Sequence, residues 1–318
     1  MLNIIFMGTP DFAKQALQDL YNAGHEIMAV VTNTDKPKGR GMKVIASPVK
    51  QFALEKNLKI YQPIKVKNNN EFIEKIKALN PDVICVVAYG KILPKEILEI
   101  PKLGCINVHA SLLPKYRGAA PIQWAVLNGD EKTGVTTMYM DVGMDTGDMI
   151  LKQEVEIGEN ETTGELWDRL SKIGGQLLVE TLNQIEQKKA PRIPQGKDFT
   201  MAPMLQKQMA NIDWENQTAK QIKNLVRGLN PIMGAYSTLE NKKIKLWKVD
   251  VLDKSDDLFD ESRKNGEVLL SNCKNGLYIK AKDGIIKVLE IQGENAKRMS
   301  IEDFLRGNSI KIGSIFKN

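Results

Sequence analysis

Two side chains near the middle of the chain, Asn107 and His109, are spaced to act together. They sit in the strand-like stretch Cys105-Ile106-Asn107-Val108-His109, and side chains of a strand repeat every second residue, so both project from one face about 7 Å apart. A loop punctuated by Pro114 and Gly118 follows, which puts the pair at the carboxyl end of the strand, where open α/β sheets bind ligands. An amide and an imidazole aimed at one spot suit the stabilisation of a carbonyl oxygen as it gains negative charge. Three carboxylates are offered by Asp141-Val142-Gly143-Met144-Asp145-Thr146-Gly147-Asp148. A carboxylate beside an imidazole fixes its tautomer and favours its protonated form, and it can also take a proton from an attacking amine. Asn, His and Asp together therefore suit acyl transfer.

Other chemistries fit less well. His25, the second of two histidines, lies in a Gly24-His25-Glu26 turn and reads as a solvent-exposed filler. Zinc would need further His or Cys at ligand spacing, and calcium would need a different carboxylate spacing. Ser111 has no Gly-x-Ser-x-Gly context, and Gly8-Thr9-Pro10-Asp11 lacks the Gly-x-Gly-x-x-Gly of a nicotinamide site. Cys85, Cys105 and Cys273 form no Cys-x-x-Cys pair; they read as reduced, buried thiols of a cytoplasmic protein. The apolar run at Ile4 to Met7 stops at Gly8 without a basic start, which reads as a first strand and not a signal peptide. No run approaches a membrane span.

The elements that must position the pair are legible from hydrophobic period. With 318 residues, 42% hydrophobic and 26% charged, the chain is long enough for two domains with cores. Ile4 to Met7 reads as a strand, then Phe12, Ala13, Ala16, Leu17 and Leu20 mark one helix face. Ile27 to Val31 follows as a strand, Ser47-Pro48 opens a helix, Phe72, Ile73, Ile76 and Leu79 stripe another, and Val83 to Ala88 is an unbroken apolar run suited to a buried parallel strand. A short helix near Pro94 to Leu98, the Asn107 strand, a helix from Ala120 to Leu127 and strands around Val135 to Met140 and Met149 to Ile157 come next. Thr162 with Glu165 forms a capping box for a long helix ending before Pro191. This alternation predicts a doubly wound, mostly parallel, Rossmann-like α/β domain over 1–189. Residues 190–208 read as a linker. Over 209–318, one helix and strands at Ile244 to Val251, Val268 to Leu270, Leu277 to Ala281 and Ile285 to Ile291, with turns at Asn275-Gly276 and Asp283-Gly284, predict a small antiparallel β-barrel resembling an OB-fold.

Charge divides unevenly between the two parts. Residues 204–318 hold 20 Lys and Arg against 15 Asp and Glu, whereas residues 1–203 hold 25 against 24. A basic barrel suits a polyanionic backbone, although charge alone fits a solvated surface as well. Lys36-Pro37-Lys38-Gly39-Arg40-Gly41-Met42-Lys43 adds four cations on what reads as a Gly- and Pro-rich loop, suited equally to phosphate binding and to plain mobility.

The motif Asn107-Val108-His109-Ala110-Ser111-Leu112-Leu113-Pro114, with Gly143-Met144-Asp145-Thr146-Gly147 downstream, closely resembles the folate-dependent formyltransferases. Gly8 to Ala13, Gly39-Arg40-Gly41 with Ser47 to Lys50, Val87 to Pro94 and Ile212-Asp213-Trp214 extend the resemblance along the whole chain to the tRNA-directed branch. Met42 departs from it, since a further basic residue often follows Gly-Arg-Gly. The resemblance implies Asn107, His109 and Asp145 as catalytic residues, and Ser111, Leu112, Leu113 and Pro114 as a tetrahydrofolate-binding loop. It further implies that Tyr89, Gly90, Ile92, Leu93, Asp141 and Gly143 bind the pterin. Lys38, Arg40 and Lys43 would then reach the tRNA acceptor end. The implied formyl donor is 10-formyltetrahydrofolate and the implied acceptor is initiator methionyl-tRNA, with no catalytic metal, no membrane partner and a monomeric protein. A formyltransferase for a small amine, a non-catalytic RNA-binding protein and a nicotinamide oxidoreductase are the competing classes.

Overall fold

The computed structural model describes residues 1–38 and 43–318, and of Lys38 and Lys43 only the backbone. Two compact units emerge. One comprises Met1–Pro121, Lys132–Glu156 and Trp167–Pro203, the other Ile122–Glu131, Ile157–Leu166 and Met204–Asn318.

The first unit is built on β1 (Asn3–Gly8), α1 (Asp11–Asn22), β2 (Glu26–Val31), β3 (Lys36–Lys38), β4 (Lys43–Ile45), α2 (Pro48–Glu55), β5 (Ile60–Tyr61), α3 (Asn70–Ala78), β6 (Val83–Val87), α4 (Lys95–Leu98) and β7 (Cys105–His109). α5 (Pro121–Asn128) falls almost wholly in the second unit, β8 (Lys132–Tyr139) and β9 (Met149–Glu156) belong to the first, and α6 (Thr163–Glu186) belongs to the first from Trp167 onward. Seven strands form one sheet in the order β5-β2-β1-β6-β7-β8-β9. From β5 to β7 all pairs are parallel, while β8 runs antiparallel to both neighbours. Because the chain leaves β1 first toward β2 and returns on its other side at β6, the strand order reverses between β1 and β6, the place where such sheets open a crevice. Alternate residues of the inner strands, among them Met7, Val31, Val86 and Cys105, pack under α3 and α4 with Phe72, Ile76 and Ile97. Asn107 and His109 continue the Cys105 face beyond that helical cover. On the opposite face, α6 comes close enough that a side chain on Gly174 would meet Val108 and Phe12.

The caps read from the sequence are realised. The Ser47 hydroxyl accepts from the Lys50 amide at 3.1 Å at the start of α2. Ahead of α6, Thr162 and Glu165 bond reciprocally, the Thr162 amide donating to the Glu165 carboxylate at 2.9 Å and the Glu165 amide to the Thr162 hydroxyl at 3.3 Å. Two expectations fail. His25 is buried, its Nδ1 accepting from the Leu2 amide at 3.4 Å, because the turn that carries it folds under the start of β1. Cys273, expected buried, is exposed beside a hairpin turn, while Cys85 and Cys105 are buried.

The second unit contains α7 (Ala219–Gly228), β10 (Ala235–Leu239), β11 (Lys242–Leu252), β12 (Val268–Asn272), β13 (Gly276–Ala281), β14 (Gly284–Gln292), β15 (Met299–Ser300) and α8 (Ile301–Gly307), preceded by a short 3-10 turn at Lys207–Ala210. Its strands pair antiparallel in the order β10-β11-β14-β13-β12. The gap between the outer strands is bridged by the C-terminal segment. Val268 N donates to Ser314 O and Phe316 N to Gly266 O on one side, and Lys317 exchanges both bonds with Thr238 of β10 on the other. Phe316 and Trp214 fill the interior behind that closure, with Trp214 Nε1 donating to Ser237 Oγ at 2.9 Å. Not all of this unit's positive charge reaches its surface. Lys223 is buried between Glu159 and Asp250, each at 3.1 Å, and buried Arg227 donates to the carbonyls of Gly158 and Glu161.

Candidate active site

Strand β7 delivers Asn107 half-buried and His109 buried, and the chain then turns sharply. The turn is held from within. Ser111 Oγ donates to Lys115 O at 2.6 Å, Thr136 Oγ1 donates to Ser111 O at 2.7 Å, and the same Thr136 oxygen accepts from Leu113 N at 3.1 Å. Lys152 Nζ caps Leu113 O at 2.5 Å, and the Leu113-Pro114 peptide is cis. Ser111 and Leu113 are therefore interior to the loop, whereas Leu112 and Pro114 are partly exposed. Tyr116 sits in the left-handed region at φ 62° and turns its carbonyl to His109 Nε2 at 2.8 Å. A carbonyl only accepts, so Nε2 carries hydrogen.

Asp145 comes from the β8–β9 connection. Because β8 is antiparallel to β7, that connection leaves the sheet at the amino end of β7 and must fold back over the face bearing Asn107 and His109. A side chain on Gly147 would lie 1.8 Å from Tyr139 O, so the return is open only to glycine. At φ 54° Asp145 itself is left-handed, a conformation Asp tolerates better than most residues. Its Oδ2 accepts from Gly118 N at 2.9 Å and lies 3.6 Å from His109 Nδ1, while Oδ1 lies 3.5 Å from Asn107 Nδ2. One carboxylate thus faces both the Asn107 amide nitrogen and His109 Nδ1. The neighbouring carboxylates do other things: exposed Asp141 accepts from Gly143 N at 3.0 Å and Thr146 Oγ1 at 2.6 Å, and Asp148 pairs with Arg192 at 3.3 Å. Among the described residues no group of three or more His, Cys, Asp or Glu could hold a metal ion.

The segment after β6 divides. Tyr89 and Leu93 point into the core, and burial pushes the Tyr89 phenol up to about 12. Gly90 is exposed, and Ile92 is 77% exposed. In the Asp145 connection, where Gly143 is exposed, Val142 and Met144 are likewise 72% and 56% exposed. Tyr89 also serves through its backbone, since Asn33 Nδ2 donates to Tyr89 O at 2.8 Å and to Thr9 Oγ1 at 3.0 Å, tying together the ends of β1, β2 and β6.

The basic stretch read as a loop is in part a hairpin, β3 pairing with β4 in the register Lys36 to Ile45 and Lys38 to Lys43. Pro37 is compatible with a two-stranded ladder because only one edge of each strand is paired. The backbones of Lys38 and Lys43 end the two strands, and Arg40 lies outside the described residues. The root of the hairpin is clasped: Lys50 Nζ lies 2.5 Å from Asp35 Oδ2, and Gln62 Nε2 donates to Asp35 Oδ1 at 2.9 Å and Asn33 O at 2.7 Å. The Lys50 ammonium holds the Asp35 carboxyl below its usual range, with Gln62 adding to the effect. Lys91 donates to Pro63 O at 2.6 Å, and its ammonium is weakened first by burial and then by nearby Lys36. Sequence reasoning passed over Tyr116 O, Gly118 N, Asn33 and Gln195; none belongs to a periodic pattern.

Residues 2–182 match the formyl transferase family and residues 204–309 the formyl transferase C-terminal domain. The fold agrees: an N-formyltransferase from Helicobacter canadensis, in complex with folinic acid and dTDP-3-aminofucose, superposes with a TM-score of 0.66 at 18% identity over 91% of this chain and 99% of that one. HypX from Aquifex aeolicus in complex with tetrahydrofolic acid gives 0.65 at 16% identity, over 96% of this chain and 47% of that one. The protein is a formyltransferase. Within that class it is 52% identical over 315 residues to the methionyl-tRNA formyltransferase of Clostridioides difficile strain 630, covering 99% of both chains. It is 47% identical over 317 residues to that of Caldanaerobacter subterraneus subsp. tengcongensis, covering 99% of this chain and 100% of the relative. The chain belongs to the methionyl-tRNA formyltransferase family.

Proposed function

We propose that the protein transfers the formyl group of 10-formyltetrahydrofolate to the free amino group of initiator methionyl-tRNA. The carrying observation is the pair of separations from Asp145, 3.5 Å to Asn107 Nδ2 and 3.6 Å to His109 Nδ1. Both exceed the roughly 2.7–2.9 Å of a charge-assisted hydrogen bond, so neither donor is spent on the carboxylate. As the amine attacks the formyl carbon, Asn107 Nδ2 and, in the imidazolium form, His109 Nδ1 donate to the formyl oxygen, and Asp145 accepts the proton the amine loses. When the bond from the formyl carbon to N10 breaks, that proton goes to the leaving nitrogen. Ile92, Val142 and Met144, apolar side chains held out toward solvent on the loops that follow β6 and β8, supply surface for a flat ring system.

The division of labour follows the chain: residues 1–189 carry out the transfer, 190–208 connect, and 209–318 hold the tRNA backbone with the surplus of Lys and Arg. Lys38, Arg40 and Lys43 reach the acceptor end. Formyl transfer to charged initiator tRNA, with a charged elongator tRNA and a free amino sugar as alternative acceptors, tests the reading. Turnover of the initiator well above both controls is expected, and equal use of the amino sugar would overturn it.

A further inference from the structure

The segment between α6 and Pro203 is bonded along its length to the loops that carry the site. Ile193 exchanges both backbone hydrogen bonds with Met149 at 2.9 Å, and farther on Arg117 N donates to Thr200 O at 2.8 Å while Ala202 N donates to Arg117 O at 2.7 Å. The approach is close enough that a side chain on Gly118 would lie 2.8 Å from Ala202 O. Midway stands Gln195. Its Oε1 accepts from Arg117 Nε at 2.9 Å and Nη2 at 2.7 Å, and its Nε2 donates to Asp145 O and Gly147 O, each at 2.8 Å.

A primary amide has two N–H donors and one oxygen with two lone pairs. Gln195 therefore spends its whole bonding capacity on this junction. The residues it joins are the ones whose placement decides the catalytic geometry. Asp145 is in a left-handed conformation, in a connection whose flanking residues Val142, Gly143 and Met144 are exposed. Arg117 adjoins Gly118, whose amide holds the Asp145 carboxylate. The buried Arg117 guanidinium is itself fixed over the Phe199 ring at 4.5 Å.

We propose that Gln195 is a positioning residue for formyl transfer: it fixes the Asp145 backbone against the loop after β7, so that the carboxylate stays between Asn107 and His109. The proposal rests on the role given above to Asp145. The plainer account makes 190–203 a connector whose bonds stabilise the fold and nothing more.

The test is a double-mutant cycle on the full-length enzyme. In Gln195→Glu the side chain still accepts from Arg117 but has no hydrogen to give Asp145 O and Gly147 O. Gln195→Leu loses both sets of bonds and brings no charge beside the two carbonyls, so it serves if the Glu variant does not fold. Either substitution is expected to lower kcat about 10- to 100-fold, the cost of a misplaced catalytic group. KM for the tRNA should stay within about twofold, since no contact proposed for the tRNA is touched. Added to Asp145→Asn, the Gln195 change should cost nothing more, because its effect passes through that carboxylate. Wild-type kcat in the folded variant overturns the proposal, and so do losses that multiply in the double mutant, the sign of a separate structural effect. Should Asp145→Asn alone leave kcat unchanged, the reading of Asp145 fails first; an impaired Asp145→Asn beside an unimpaired Gln195 variant sinks the Gln195 proposal alone.

Discussion

Truncating Asn107 to alanine isolates the oxyanion donor. Its amide is half-buried, and its Nδ2 lies 3.5 Å from Asp145 Oδ1, at the limit of hydrogen bonding. Little folding energy is therefore tied up in it, and Asn107→Ala should cost at most about 1 kcal/mol of stability. The transition state is another matter: a preorganised donor to a developing oxyanion is worth about 10²- to 10³-fold in kcat, or roughly 2.7–4 kcal/mol. Asn107→Asp is the sharper control. It preserves volume, removes the N–H and sets a second carboxylate about where the amide stood, so it should be at least as impaired as alanine. Initial rates of formyl transfer to charged initiator tRNA would be measured at saturating folate and tRNA, with tRNA affinity and thermal midpoint alongside. Turnover within about tenfold of wild type in the alanine variant, or an aspartate variant more active than alanine, would refute the donor role.

His25 gives a pH prediction. Burial lowers its pKa from the ordinary 6.5, with Glu186 opposing and the N-terminal amine adding to the shift. The unfolded chain thus takes up the proton first as pH falls, so the stabilisation is full above that ordinary value and is lost as pH falls through the lower folded one. His25→Gln should flatten the decline of thermal midpoint between about pH 7 and pH 5, and parallel declines would refute it. Phe316→Ala removes a ring that is 1% exposed behind the segment closing the second unit; a loss of about 3–5 kcal/mol by denaturant titration is expected, and less than about 1 would mean the closure carries no load. For the basic stretch Lys36 to Lys43, Arg40→Ala should weaken tRNA binding and reduce the slope of log affinity against log salt by about 0.7–0.9. Identical affinity and slope in the variant would remove Arg40 from the contact.

Much of the first unit was legible because burial repeats with secondary structure. Of the apolar run Val83 to Ala88, Val83 to Val87 became a central strand buried throughout and Ala88 is exposed beyond it, and the Ser47 and Thr162 signals became caps. Strand direction was not legible. The pattern of β8 resembles that of its parallel neighbours, yet it runs the other way, so the Asp145 connection reaches the site from the opposite end of β7. In the second unit β10 was missed. Its turn to β11 is Glu240-Asn241, both left-handed at φ 49° and 63°, the backbone of a tight hairpin without the Asn-Gly signature. The closure by residues 314–317 joins segments up to 79 positions apart, as in the Thr238 to Lys317 bridge, and no local pattern encodes it. The count of Lys and Arg over 204–318 includes charge that never reaches the surface, because a sequence shows neither the Asp250 that pairs with Lys223 nor the carbonyls that receive Arg227.

Asn107 and His109 declared themselves by period alone, whereas Asp141, Asp145 and Asp148 are chemically equivalent on paper. What distinguishes Asp145 is backbone: a left-handed residue two positions before a glycine that alone can pass Tyr139 O. Gln195 was invisible for a related reason. It lies 50 positions from Asp145 and 78 from Arg117, between Pro194 and Gly196, and those neighbours signal irregular chain without saying whether that chain spans solvent or lies against a surface. A cue did exist in Arg117. A cation within a stretch that must pack beside a reaction centre needs polar partners once it is buried, and the loop from Ala110 to Ala120 contains no carboxylate to supply one. The partner had to arrive from elsewhere in the chain, and an amide is well suited to the task, because it satisfies the guanidinium on one side while its N–H groups grip backbone carbonyls on the other.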